Sequence, residues 1–456
     1  MNRVGLHRIW VLLLFVPIWA LVLAYGVAFV LTLRPPQVFP TPKEHRPPPP
    51  PRGRIRTADG AVLATSPRPG SRVYPLGELA GQVVGYTERA GGRYGPGLEG
   101  IEGIRNLTLA RGRDVVLTLD SRVQAIAEEA LATGMAQSRA EWGTVVVMAQ
   151  DGRLLAVANA PFFDPESPRG SPENDPRLKN YAFQYLIEPG STIKALTAAV
   201  LLETGAVRPG EAVEVPYRRE VADRVVHDWR WHPTRRWDLE AILAHSSNVG
   251  ISLLAERMPK RTLYRYLERL HLDDPRLLPE FSARPLFPEL RRWGPVEYAN
   301  ATFGQGFAIT ALHLAAAMNT LTDGNFHRPR LFAGEEAIAV RVFRPETVAT
   351  VRGMLERGLA RRARLPGYRL AGKTGTAQVA RENGRGYDPD RVVALFAGFV
   401  PADRPRATVV VVLYNPRVAP EDRFGSKLAA PVFREVASGL FSLWGLPPDR
   451  AKLGGR

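Results

Sequence analysis

A mixed α+β domain, its antiparallel sheet packed on a helical region, set on a small N-terminal pedestal and one membrane-crossing helix, is the architecture that this sequence predicts. Three observations predict it. The uncharged run of 25 residues from Ile9 to Leu33 is long enough to span a bilayer with some tilt. Strand patterns lie early, at Thr144 to Met148 and Leu154 to Ala158, and again late, at Val392 to Val400 and Thr408 to Tyr414, with helical spacing between them. Amid these, the apolar stretch Ala195 to Leu202, preceded by Pro189-Gly190 and followed by Gly205, reads as a buried helix.

Composition narrows the partners. With 456 residues, 45% of them hydrophobic, the chain can bury a large core. Its formal charge of +16 suits nucleic acid, anionic lipid or an anionic polymer, and no nucleic-acid-binding motif accompanies it. Arg352, Arg357, Arg361, Arg362 and Arg364 near one helical segment read as a solvated face. The absence of cysteine excludes disulfides, thiolate metal sites and a cysteine nucleophile.

Along the chain, residues 1–8 precede the anchor at 9–33, whose length beyond Gly26-Val27-Ala28 exceeds a cleaved signal core. The positive charges on its two sides nearly balance, so they do not orient it. Residues 34–51 form a proline-rich linker with five consecutive prolines, a stiff spacer. Residues 52–113 make the pedestal, with a small hairpin across Asp59-Gly60 and a turn-rich linker over Gly91 to Gly103. Residues 114–446 make the large domain. It opens with a strand over Val115 to Leu119 and a helix through Val123, Ile126, Ala127, Ala130, Leu131 and Met135. Asp151-Gly152 turns the first hairpin, and Asp238 caps a helix ending in His245-Ser246-Ser247-Asn248. A last helix includes Phe433 to Leu443, and 447–456 is a tail.

Chemistry enters at Ser191. Helix spacing places Lys194 one turn on, on the same face. A serine hydroxyl needs a base, and lysine serves only where apolar surroundings favour its neutral amine. Only seven of the 61 basic residues are lysine, so a lysine here hints at an amine that must lose its proton. S-x-x-K alone is also what an ordinary N-capping serine looks like.

Three stretches together, Ser191-x-x-Lys194, Ser246-Ser247-Asn248 and Lys373-Thr374-Gly375-Thr376, resemble in order and type the S-x-x-K, S-x-N and K-T-G signatures of penicillin-binding proteins and serine β-lactamases. Arg52-Gly53-Arg54-Ile55 with Asp59-Gly60, Phe303-Gly304-Gln305-Gly306 with Ile309-Thr310, and Ala430-Pro431-Val432-Phe433 further resemble class B penicillin-binding proteins. The resemblance implies a penicillin-binding transpeptidase fold and a membrane-anchored peptidoglycan D,D-transpeptidase of division or elongation type. Ser191 would be acylated by a stem peptide and Lys194 would take its proton. Ser246 would relay a proton to the leaving amine, and Asn248 would hold a substrate carbonyl. Lys373 would meet the terminal carboxylate beside Thr374, Gly375 and Thr376, and the N–H groups of Ser191 and Thr376 would form the oxyanion hole. β-Lactams would act as inhibitors. No metal or organic cofactor is implied. A polytopic glycosyltransferase of the SEDS type is the implied membrane partner, and the substrate puts the catalytic domain outside the cytoplasmic membrane. Ser247 replaces the acidic residue of the S-D-N form, and no glutamate poised to activate water is evident in the sequence.

Three other readings compete, one of them a non-enzymatic scaffold with a decayed site, against which every motif residue is present. Gly367 to Thr374 satisfies the P-loop pattern, but the basic Arg361 to Pro366 ahead of it and the lack of helical spacing after it argue against a phosphate loop. A D,D-carboxypeptidase, β-lactamase or sensor of the same fold would share the site and differ in deacylation. His245 reads as packing, and Trp229 to Trp237, with His227 and His232, reads as a loop over the domain or an entrance to its cleft.

Overall fold

The computed structural model describes residues 3–32, 50–90, 93–168, 175–381 and 386–448. It divides into two units, Met1–Pro48 and Pro49–Arg456. In the first, Arg3–Thr32 is one helix, α1, with Pro17 inside it. Its described side chains, Phe15 to Phe29, are all exposed. Among the described residues no helix is long and apolar enough to cross a membrane. The end of the expected anchor at Leu33, the linker as far as residue 49 and the tail from residue 449 lie outside the described residues.

The second unit opens with the expected hairpin. Ile55–Arg56 (β1) pairs antiparallel with Val62–Ala64 (β2), and β1 also pairs in parallel with Val115–Val116 (β3). The strand expected to continue to Leu119 stops after two residues, because Leu117 bridges Phe332 instead. Gly91 to Gly103 is more than a linker: its described residues include a strand, Arg93–Gly97, and a short helix, Gly100–Ile104, which carries the buried Glu102.

The large sheet follows from valine-rich runs with no polar break. Ser121–Ser138 (α2), capped by Asp120, leads into Trp142–Ala149 (β4) and Leu154–Ala160 (β5), paired across a turn in which Gly152 has a φ of 92°. After the helices Lys194–Glu203 (α3), Leu239–His245 (α4), Asn248–Ala255 (α5), Ala311–Asp323 (α6) and Pro345–Arg357 (α7) come the last three strands. These are Ala371–Ala380 (β6), Tyr387–Val400 (β7) and Ala407–Tyr414 (β8), and Ala429–Leu443 (α8) closes the fold. The antiparallel order is β6-β7-β8-β4-β5, so β8 returns to pair with β4 and joins the early and late strands in one sheet.

Every residue of β4 and β8 is buried, so both faces of the sheet are covered. Val145, Val147, Val409, Val411 and Leu413 pack with α2 and α8, while Val146, Met148, Val410 and Val412 join the larger core containing α3 and α6. Each such side chain stabilises by roughly 1.5–3 kcal/mol, and a one-residue slip would exchange the two faces. Buried Asn319 of α6 pins the register: its Oδ1 accepts from Thr408 Oγ1 at 2.7 Å and its Nδ2 donates to Gln150 O at 2.9 Å.

The arginines of α7 are not simply a solvated face. Arg352 donates to the C-terminal carbonyls of α6 at Leu321 and Thr322, and Arg357 forms a two-pronged pair with Glu240 of α4. Both hold the helical region together beside the sheet edge formed by β6.

Candidate active site

Pro189 and Gly190 bring the chain into a tight 3-10 turn, Gly190–Ile193, that runs directly into α3. Lys194 therefore falls at the start of α3 and, with no exposed surface, extends beneath the serine. Its Nζ lies 3.0 Å from Ser191 Oγ, 2.7 Å from Asn248 Oδ1 and 3.3 Å from Ser246 Oγ, and it also donates to the Ser246 carbonyl. From β6, Lys373 Nζ reaches Ser246 Oγ at 2.9 Å and Thr374 O at 3.1 Å. Ser246 is thus the bridge between the two lysines.

Electrostatics separates their roles. Burial, reinforced by the nearby Lys373 charge, holds Lys194 well below the usual lysine range, while Asp228 pulls the other way. Burial alone brings Lys373 down to about 7. The neutral amine that nucleophilic catalysis needs is therefore available beside Ser191, and the second lysine can still carry charge near neutrality.

Close backbone approach sets the geometry. A Cβ on Gly375 would stand 3.0 Å from Thr192 Cγ2 and 3.2 Å from Pro189 O, so glycine lets β6 lie against the serine turn. Gly304, at a φ of 82°, packs so tightly that a Cβ would meet Gly190 O at 2.2 Å, and its carbonyl accepts from Gly190 N at 2.9 Å. The Phe303–Gly306 stretch is thereby a backing for Ser191. Thr376 Oγ1 accepts from Gly425 N at 3.1 Å, which ties β6 to the segment ahead of α8.

Of the residues singled out from sequence, Ser191, Lys194, Ser246, Asn248 and Lys373 join in one hydrogen-bonded group. Thr374, Gly375 and Thr376 follow Lys373 along β6. That strand continues for seven residues past Lys373, where a phosphate-binding loop would start a helix, so the P-loop pattern is coincidental. His245 stacks on Trp237 with ring centroids 4.6 Å apart, as packing, while Trp229 and Trp231 are largely exposed.

Two carboxylates, buried Asp228 and half-buried Glu188, escaped sequence reasoning. Asp228 meets the middle motif from 18 residues upstream of Ser246, a spacing that belongs to no pattern. Glu188 was visible only as part of the serine stretch; it accepts from Gly306 N at 2.9 Å and from Tyr387 Oη at 3.1 Å, and burial raises it to about 7.

Comparison with known proteins covers the domain that holds these residues. Residues 143–438 match the model of the penicillin binding protein transpeptidase domain, which covers more than half of the chain. The chain belongs to the penicillin-binding protein transpeptidase family. Among its relatives, a probable peptidoglycan D,D-transpeptidase PenA of Neisseria gonorrhoeae is 31% identical over 416 residues, 83% of this chain and 70% of that protein. The peptidoglycan D,D-transpeptidase FtsI of Escherichia coli K12 is 29% identical over 418 residues, 84% and 69% of the two chains. Penicillin binding protein 3 of Mycobacterium tuberculosis, solved in complex with aztreonam, superposes with a TM-score of 0.81 at 29% identity, covering 88% of this chain and 97% of that one. This is a class B penicillin-binding protein, its transpeptidase fold an antiparallel sheet with a helical region.

Proposed function

We propose that this penicillin-binding protein is a membrane-anchored peptidoglycan D,D-transpeptidase that cross-links stem peptides through an acyl-enzyme on Ser191. The observation that carries the reading is the buried amine of Lys194, within hydrogen-bond reach of Ser191, Ser246 and Asn248 at once. In acylation, Ser191 Oγ attacks the carbonyl carbon between the two terminal D-alanines as its proton passes to Lys194 Nζ. The N–H groups of Ser191 and Thr376 receive the developing oxyanion. The C–N bond then breaks, and a proton reaches the leaving D-alanine amine through Ser246. Lys373, with Thr374 and Thr376, meets the terminal carboxylate, and Asn248 holds a substrate carbonyl. A second stem peptide's amine then attacks the ester, forms the new amide, and returns Ser191 to its hydroxyl.

The remaining assignments follow from the sequence. Residues 9–33 anchor the chain in the cytoplasmic membrane, residues 1–8 stay inside, and the linker 34–51, the pedestal 52–113 and the transpeptidase domain 114–446 stand outside. β-Lactams acylate the same serine. The membrane partner is a polytopic glycosyltransferase of SEDS type, and Ser246-Ser247-Asn248-Val249-Gly250 favours the cell-division branch, as does similarity to a protein named FtsI. Labelled penicillin followed by peptide mapping tests the reading: an adduct confined to the Ser191 peptide and lost in Ser191→Ala supports it. An adduct that survives the substitution in folded protein overturns it.

The two lysines also set a pH dependence. Acylation needs neutral Lys194 and so rises as pH climbs through its depressed pKa, whereas the carboxylate contact needs protonated Lys373 and weakens above about 7. The second-order rate constant for a carboxylate-bearing penicillin is therefore expected to be bell-shaped, with its alkaline limb near 7. A profile flat from about pH 6 to 8 would contradict these roles.

A further inference from the structure

The middle motif has a serine where the S-D-N form has a carboxylate, yet a carboxylate is present. The antiparallel pair Arg218–Val221 and Arg224–His227 delivers Asp228, 5% exposed, against the start of α5. Asp228 Oδ2 accepts from Ser247 Oγ at 2.5 Å and Oδ1 accepts from Val249 N at 3.0 Å. His232 Nε2 lies 3.0 Å from Oδ2, and its ring packs on Trp237, which in turn stacks on His245, the residue before Ser246. The neighbouring His227 carbonyl accepts from Asn248 Nδ2 at 3.2 Å. One short segment therefore grips residues 247, 248 and 249.

What this grip holds is a strained backbone. Ser246 has φ 57° and ψ 37°, a left-handed conformation that a residue with a Cβ adopts only when its surroundings enforce it. In that conformation its carbonyl and hydroxyl both meet Lys194, and the hydroxyl also meets Lys373. A free loop would relax, taking Ser246 and Asn248 off the base.

We propose that Asp228 is a positioning residue for acylation, supplying from a separate hairpin the carboxylate that Ser247 lacks and so holding Ser246 and Asn248 on Lys194. This rests on Ser191 and Lys194 being the reacting pair. Asp228 also acts at a distance: the charged groups that act on Lys194 are Lys373 from β6, which disfavours its proton, and Asp228, which favours it. The uncharged groups facing the amine are Ser191, Ser246 and Asn248, and the histidines nearest Asp228 along this wall are His227, His232 and His245.

The test is the rate of labelling by penicillin as a function of pH in the full chain, for the parent and Asp228→Asn. Asparagine keeps the shape and one acceptor but removes the charge and turns an N–H toward Ser247. The expected result is a fall of roughly 10- to 100-fold, with the acid limb displaced to lower pH because Lys194 loses the charge that favoured its proton. A parent-like rate overturns the proposal. So does a slowed variant whose acid limb stays in place, since that is what loosened packing alone would give. Should Asp228→Asn fail to fold, Ser247→Ala removes the hydroxyl that donates to Asp228 and that also caps α5 by accepting from Gly250 N: slower labelling, read at a temperature where the variant is fully folded, supports the proposal and a parent-like rate overturns it. If Ser191→Ala still forms the adduct, the underlying acyl-enzyme reading fails; if only the Asp228 results are parent-like, that reading stands and this proposal falls.

Discussion

Lys194→Arg is expected to lose acylation by on the order of 10³-fold or more while the protein still folds. Arginine preserves the positive charge and the reach but does not give up its proton at any pH a protein survives. If Lys194 served only as a fixed cation beside the oxyanion, the substitution would be mild. If it is the base, the hydroxyl of Ser191 loses its proton acceptor, and raising the pH rescues nothing. Because a guanidinium is larger and Lys194 has no exposed surface, Lys194→Met is the companion variant: it keeps the length, drops the charge and should lose as much. The measurement is the pseudo-first-order rate of adduct formation with thermal melting as a control for folding. A loss below tenfold in both variants would remove Lys194 from the role of base.

The contrast between what was legible and what was not has physical causes. Ser191 and Lys194 are joined by local helical geometry, which three residues of sequence specify. The hairpin at Asp151-Gly152 and the cap at Asp238 are local in the same sense. The long valine runs revealed strands, though not that β8 would return beside β4, because register across more than 250 residues of chain is decided by the faces that α2, α6 and α8 cover. That Lys373 and Ser246 would meet was available only through the resemblance, since 127 residues separate them. Asp228 was invisible for a related reason: a hydrogen bond to a backbone N–H and a serine hydroxyl asks only for an acceptor in the right place, so no spacing or residue pattern announces it. Val115 to Leu119 failed differently. Its β-branched and apolar residues suit a strand, but tertiary pairing with Phe332 took over after Val116.

Glu102→Ala is expected to destabilise the pedestal by about 3–5 kcal/mol, the cost of stranding buried cations. Glu102 is fully buried. Its Oε2 accepts from Arg52 Nε at 2.7 Å, its Oε1 accepts from Arg72 Nε at 2.6 Å, and its carbonyl accepts from Arg52 as well. Arg72 is itself almost wholly buried and donates onward to Gly53 O. Alanine would leave two guanidinium groups with their principal anion gone, that of Arg72 with no exposed surface. Burial of apolar area cannot offset this cheaply, because a segment of some 60 residues has a small core of its own. Ion pairs at the surface, such as that between Arg153 and Asp151 with both side chains about half exposed, should by contrast change stability by less than about 1 kcal/mol. The position of Glu102 predicts where the damage appears. Limited proteolysis of Glu102→Ala should cut within residues 52–113 at protease levels that spare the parent, while the Ser191 peptide still takes up penicillin. Replacing the group with apolar side chains, Glu102→Leu with Arg72→Met and Arg52→Met, should recover much of the loss, because a removed ion pair is less costly than a broken one. Equal resistance of Glu102→Ala and parent to proteolysis would mean that the buried carboxylate is not what holds this segment together.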